Sequence, residues 1–163
     1  MKFGKFLLEN KIAEWEEFYI NYRKLKKLIP KIKPNQTGTD WDLPPKEQVD
    51  ELSNYFKTQA LLELDKIERF YLAMERQLLE RWVSILREFG NVTTEIPNRR
   101  KTVLKEQIER IYVALINLLD FCNLNYRGFV KICKKELKRM RKLFPDTAKS
   151  EEILGVVESV IYT

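Results

Sequence analysis

Between residues 46 and 89 the chain places Leu52, Phe56, Ile67, Phe70, Met74, Leu78, Trp82, Ile85 and Phe89 at three- and four-residue steps, with no Pro or Gly among them. That is the period of a helix with one apolar face, and it predicts a single long helix. At ~1.5 Å per residue such a helix spans roughly 65 Å, a length that is stable only against partners of comparable length. The sequence supplies one: after a turn at residues 90–97 the pattern returns at about Asn98 and runs through Val103, Ile108, Ile111, Leu115, Leu118 and Cys122. Asn123, Asn125 and Gly128 are candidate break points, yet the pattern resumes through Leu143. One long helix is favoured, with a kink at these residues as the alternative.

The first third is shorter-paced. A helix over residues 2–8 and another over 14–29, stopped by Pro30, would form a small hairpin. On the second of these, Trp15, Phe18, Tyr19, Tyr22, Leu25 and Ile29 share one face, with Lys26 among them. Residues 34–45, with three Pro, a Gly, Asn35 and Asp40, read as a loop. Pro145 ends the helical pattern, and a last helix over 150–161 would close the bundle. The expected fold is therefore all-α: a helical bundle with an N-terminal helical hairpin, two long antiparallel core helices and a short C-terminal helix. The most apolar window, residues 111–119, falls well short of the ~20 residues a membrane span needs and reads as core.

Composition narrows the function classes. At 163 residues and 44% hydrophobic the chain can bury one sizeable core, so a single domain over residues 1–163 is expected. The absence of histidine removes the commonest metal ligand and the usual general base of a nucleophilic triad. No phosphate-cradling Gly loop or distinctive carboxylate arrangement appears, so neither catalysis, nor a cofactor, nor a metal is expected. Cys122 and Cys133 lack metal-ligand spacing and fall among apolar helical residues, which suits reduced, buried thiols of a cytoplasmic protein, with a disulfide or redox role as the alternative. Lys2, Lys5, Glu9 and Lys11 break up any signal-peptide pattern.

The formal net charge of +6 conceals a segregation. Residues 1–34 carry nine Lys/Arg against four acids and residues 127–142 carry eight against Glu136 alone, contributing +5 and +7 and leaving about −6 elsewhere. On a helical wheel Arg127, Lys131, Lys134, Lys135, Lys138 and Lys142 fall within an arc of roughly 80–100°, opposite Phe129, Ile132, Cys133, Leu137, Met140 and Leu143. Like charges at this spacing repel by a few tenths of a kcal/mol per pair, a cost that a bound polyanion would reverse. The alternative is a solvated face. Lys26 admits two readings as well: a stem snorkelling along apolar groups, or a donor paired with Tyr22 one turn earlier on a common anion. A helix starting at about Lys2 or Phe3 presents free backbone N–H groups beside Lys2 and Lys5, with Gly4 permitting close approach; equally, Phe3 and Phe6 could simply pin a frayed end.

Three separated segments carry a resemblance. Met1-Lys2-Phe3-Gly4-Lys5 with Glu14-Trp15, Tyr19, Tyr22 and Leu25-Lys26-Lys27 is similar to the start of the SPX domain family, and Leu64-Asp65-Lys66-Ile67-Glu68-Arg69-Phe70-Tyr71 to its central signature. The run from Leu124 to Lys135, with Lys138, resembles its lysine-rich helix. The resemblance implies a helical bundle that recognises inositol polyphosphates and inositol pyrophosphates as reporters of cellular phosphate status. It also implies roles: Tyr22, Lys26 and Lys134 as an inner phosphate-binding cluster, Lys131, Lys135 and Lys138 as an adjoining lysine surface, and Lys2 with the first helix completing the site. Departures are Ala13 for a frequent Pro, Arg127 for Thr, and Glu136-Leu137 in place of an aromatic-Asp pair.

Such modules are usually the N-terminal part of a longer protein and are fused to, or recruit, an effector of phosphate metabolism or transport. The same is expected here, including a place at the cytosolic side of a membrane through a fused domain. Two rival readings stay open: a generic binder of polyanions such as nucleic acid or an anionic membrane surface, and a structural helical module that oligomerises through its long helices. The stripe lacks interleaved aromatics for base stacking, so no specific nucleic-acid partner is expected.

Overall fold

A computed structural model describes residues 2–29, 46–90 and 97–143. Helix α1 spans Phe3–Glu9, a 3-10 helix follows at Ala13–Phe18, and α2 spans Tyr22–Leu28. Two long helices, α3 (Lys46–Gly90) and α4 (Asn98–Leu143), form the frame, and α1 and α2 pack on it. The all-α architecture and the two long helices are as the periodicity predicts. The expected loop at 34–45 and the expected helix at 150–161 lie outside the described residues. Among the described residues no helix is long and apolar enough to cross a membrane.

The helix expected over residues 14–29 is not one helix. Its first part winds as a 3-10 helix, Tyr19 is extended, and α2 starts anew with Asn21 as N-cap, its Oδ1 accepting the Lys24 N–H at 3.0 Å. The face shared by Trp15 and Tyr19 with Tyr22 and Ile29 therefore does not exist as one helical face. The cause is tertiary. Asn125 Oδ1 accepts the Ile20 N–H at 2.7 Å, Glu63 Oε2 accepts the Asn21 N–H at 3.0 Å, and Lys66 Nζ donates to the Tyr19 carbonyl at 2.8 Å. These groups of α3 and α4 supply what a helix would have supplied to the same backbone, and a buried break is tolerated only on that condition.

Helix α4 runs unbroken through its candidate break points. Asn125 Nδ2 bonds back to the Phe121 carbonyl at 2.9 Å, which frees its oxygen for the loop. Gly128 is required by packing: a Cβ there would sit 2.8 Å from Ile20 Cγ2 and 3.6 Å from Phe3 Cε1. Phe121, fully buried, is the centre of the main core, with Trp15, Tyr19 and Phe70 around it at ring-centroid distances of 5.9, 4.8 and 4.9 Å. Toward the α4 C-terminus, Glu136 and Arg139 form a buried ion pair, and Ser53 Oγ donates to Glu136 at 3.1 Å.

The window 111–119 is not core throughout. Ile111 and Leu118 are buried, but Tyr112, Val113, Leu115, Ile116 and Leu119 are exposed, as are Trp82, Val103 and Ile108 of the periodic stripes. Ile111 clusters with Leu104 and with Ile85 of α3, and Leu118 joins the main core; among the described residues these neighbours cover only one stripe of a helix that is apolar nearly all round. Cys122 and Cys133 are free and half-buried, and burial pushes the Cys133 thiol up to about 11.

Three outcomes follow from this packing. Gly128→Ala should lower stability by about 1–2 kcal/mol in urea unfolding, because overpacking against buried Ile20 outweighs the ~1 kcal/mol gained in helix propensity. Asn125→Ala should cost about 1–3 kcal/mol by leaving the Ile20 N–H without a partner; a change under half a kcal/mol would show that N–H to be solvated. In the folded chain at pH 8 a thiol raised from 9.0 to about 11 is protonated almost entirely, so Cys133 should react with a disulfide reagent about a hundredfold more slowly than in urea.

Candidate anion-binding site

The N-terminal residues reach both of their neighbours through aromatic rings. Phe3 stands edge-on to Tyr22 of α2, centroids 5.0 Å apart at 69°, and Lys131 Nζ of α4 lies 5.5 Å from the centre of the same Phe3 ring. One turn on, the Arg127 guanidinium lies 4.8 Å from the Phe6 ring. Helix α1 is thus a wedge, with Tyr22 on one side and two cations of α4 on the other. Gly4 faces Tyr22 as well, but a Cβ there would lie 3.8 Å from Tyr22 Cδ1, an ordinary contact, so the expected close approach does not depend on glycine. Cations over ring faces are attracted by the ring quadrupole by about 0.5–1 kcal/mol at exposed sites.

Around this wedge the expected site residues fall as follows. Lys2, exposed, is the N-cap of α1 and immediately precedes Phe3. Tyr22 is half-buried, and burial raises its hydroxyl above the ordinary value, which keeps the phenol protonated and able to donate. Lys26 is exposed one turn further along α2. Lys131, Lys134, Lys135 and Lys138 are exposed within two turns of α4. The ring contacts bring Phe3, Tyr22 and Lys131 together directly; Lys26, Lys134, Lys135 and Lys138 follow from them by helical spacing alone.

Among the described residues no carboxylate forms an ion pair with those four lysines of α4. Glu136, the one acid in their stretch, is turned inward onto Arg139 and Ser53, and Leu137 is buried beside it. The Glu136-Leu137 departure from the family pattern therefore lies on the core side of α4. The cationic surface keeps its charge, and in water-exposed positions it is screened over about 8 Å at physiological salt.

Sequence reasoning missed the groups that hold this surface in place. Arg127 was placed in the stripe but not against Phe6. Asn125 and Gly128 stand out in the sequence only as candidate break points of a helix favoured to be continuous, whereas they anchor Ile20 and thereby the start of α2. Glu63 and Lys66, paired at 2.6 Å, clamp Tyr19 and Asn21; Lys66 stands in the central signature, but nothing in its spacing marks a target 47 residues earlier.

Comparison with known proteins bears on the family and the fold. The family model for the SPX domain matches residues 1–54. A glycerophosphocholine phosphodiesterase of Candida albicans is 30% identical over 151 residues, covering 88% of this chain and 13% of that protein. An SPX domain-containing membrane protein of Oryza sativa is 31% identical over 148 residues, 90% of this chain and 20% of its own length. The chain thus spans a fifth or less of these two relatives. Among solved structures, the SPX domain of Chaetomium thermophilum glycerophosphodiester phosphodiesterase 1, in complex with inositol hexakisphosphate, matches with a TM-score of 0.66 at 22% identity, over 99% of this chain and 97% of that one. With its N-terminal signature, its relatives aligned along most of its length and its shared helical architecture, the chain belongs to the SPX domain family.

Proposed function

We propose that this chain is a non-catalytic binding module for inositol polyphosphates, inositol pyrophosphates included, held where α1, α2 and α4 meet. The observation that carries the reading is the Phe3 ring, which touches Tyr22 and lies beneath Lys131. Tyr22 of α2 and Lys131 of α4 are thereby joined through one residue of α1. The complex of inositol hexakisphosphate with the SPX domain of the Chaetomium phosphodiesterase supports the ligand class.

Tyr22, Lys26 and Lys134 form the inner cluster, Lys131, Lys135 and Lys138 the adjoining surface, and Lys2 closes the N-terminal side. Charge-assisted hydrogen bonds contribute roughly 1.5–3 kcal/mol each, so three or four of them carry micromolar affinity or better. A single inorganic phosphate is too small to engage both α2 and α4 and binds poorly. A ligand that does engage both ties the N-terminal elements to α4, and a neighbour can read that one arrangement.

Residues 1–163 act as one domain at the N-terminal end of a longer protein, and the effector, fused or recruited, belongs to phosphate metabolism or transport. The much longer phosphodiesterase and membrane-protein relatives support that organisation. In this reading the bound ligand reports phosphate status to the effector on the cytoplasmic side.

Calorimetry at matched ionic strength tests the proposal with inositol hexakisphosphate, an inositol pyrophosphate, inorganic phosphate and a short DNA duplex. The inositol phosphates should bind at least a hundredfold more tightly than inorganic phosphate, an interval of about 2.7 kcal/mol. Lys26→Ala and Lys134→Ala should each weaken them about tenfold to a hundredfold, and Tyr22→Phe about tenfold. Duplex DNA bound equally well per charge would make the surface a general polyanion binder. Unchanged affinity in all three variants would place the ligand elsewhere.

A further inference from the structure

Helix α1 carries Phe3 and Phe6 three residues apart, and α4 offers Arg127 and Lys131 four residues apart, so each pair stands on one side of its helix about one turn apart. The two pairs meet in reverse order. Phe3 lies 5.5 Å from Lys131 Nζ, and Phe6 lies 4.8 Å from the guanidinium carbon of Arg127. Ascending numbers on α1 against descending numbers on α4 mean that the two helices run in opposite directions here. The start of α1, with Lys2 as its N-cap, therefore points along α4 toward Lys134, Lys135 and Lys138.

Three contacts hold α1 in that direction. Leu7 is buried in the main core. Phe3 meets Tyr22 and Lys131, two groups that the ligand reading also assigns to the anion. Phe6 meets Arg127, which is exposed, forms no ion pair among the described residues and has no part in that ligand reading. A helix of seven residues does not persist by itself, so its place depends on such contacts. The Phe6 contact is the one of the two cation and ring pairs that an arriving anion does not have to share.

We propose that Arg127 is a positioning residue of the anion site: through the Phe6 ring it holds α1 on α4 and keeps Lys2 at the end that faces the lysines. The proposal rests on the ligand reading above and adds to it a cation that touches no ligand. At an exposed site the attraction of a guanidinium to a ring is worth about two- to fivefold in an equilibrium. Apparent affinity falls in proportion to the fraction of chains in the competent arrangement, so loosening α1 lowers it without removing a ligand contact.

Amide exchange over α1 in the ligand-free chain reads the clamp, and calorimetry with inositol hexakisphosphate reads its effect on the site. Arg127→Gln should speed exchange about two- to fivefold and weaken binding about twofold or more. Phe6→Leu, which changes no charge and keeps most of the apolar volume, should act in the same direction on both. Together the two should do no more than Arg127→Gln alone, because they break one contact. Arg127→Lys keeps a cation for the ring and should recover most of the loss. If Arg127→Gln weakens binding and Phe6→Leu does not, Arg127 touches the anion itself and the positioning role falls. Additive losses, or exchange over α1 unchanged in both variants, overturn it as well. A wild-type chain that does not bind the hexakisphosphate sinks the ligand reading and this role together, and that result is distinct because it precedes any variant.

Discussion

The structure turns on a short stretch of backbone, Tyr19 to Asn21, that is not helical and whose polar groups are satisfied by side chains from elsewhere. An amide left unsatisfied in such a place costs about 1–3 kcal/mol, and three groups are at stake: the Ile20 and Asn21 N–H and the Tyr19 carbonyl. Asn125, Glu63 and Lys66 answer them, and in doing so they fix where α2 begins and which way it points. Tyr22 is the first residue of that helix, so its position is set by hydrogen bonds formed on the far side of the loop. Gly128 allows Ile20 to lie directly on the α4 backbone and tightens the same joint.

On that joint the N-terminal wedge brings cations and rings together. Lysines lined along a rigid helix cannot disperse as they would on a loop, so the mutual repulsion of Lys131, Lys134, Lys135 and Lys138 is built into α4. The inward-facing Glu136 cannot relieve it, because its carboxylate is committed to Arg139 and Ser53 in the core. Removing one partner of such a buried pair is costly, whereas keeping both adds little net stability. Its consequence here is positional. The one acid of the stretch is held away from the lysines, and an external anion is left as the means of neutralising them.

Much of the frame was readable from the spacing of apolar residues, and the failures have a common origin. Periodicity found α3 and α4 because long helices bury one stripe against each other, and it carried α4 through Asn125 and Gly128. It joined residues 14–29 into one helix because Trp15, Tyr19, Tyr22 and Ile29 have helical spacing, while the bonds that break that helix come from partners 42 to 105 residues away. It assigned residues 111–119 to the core because apolar content does not say how many neighbours are present. The cationic stripe was visible because all its members lie on one helix. The meeting of Phe3, Tyr22 and Lys131 was not, since no local pattern relates three segments, and only the family resemblance suggested that they converge.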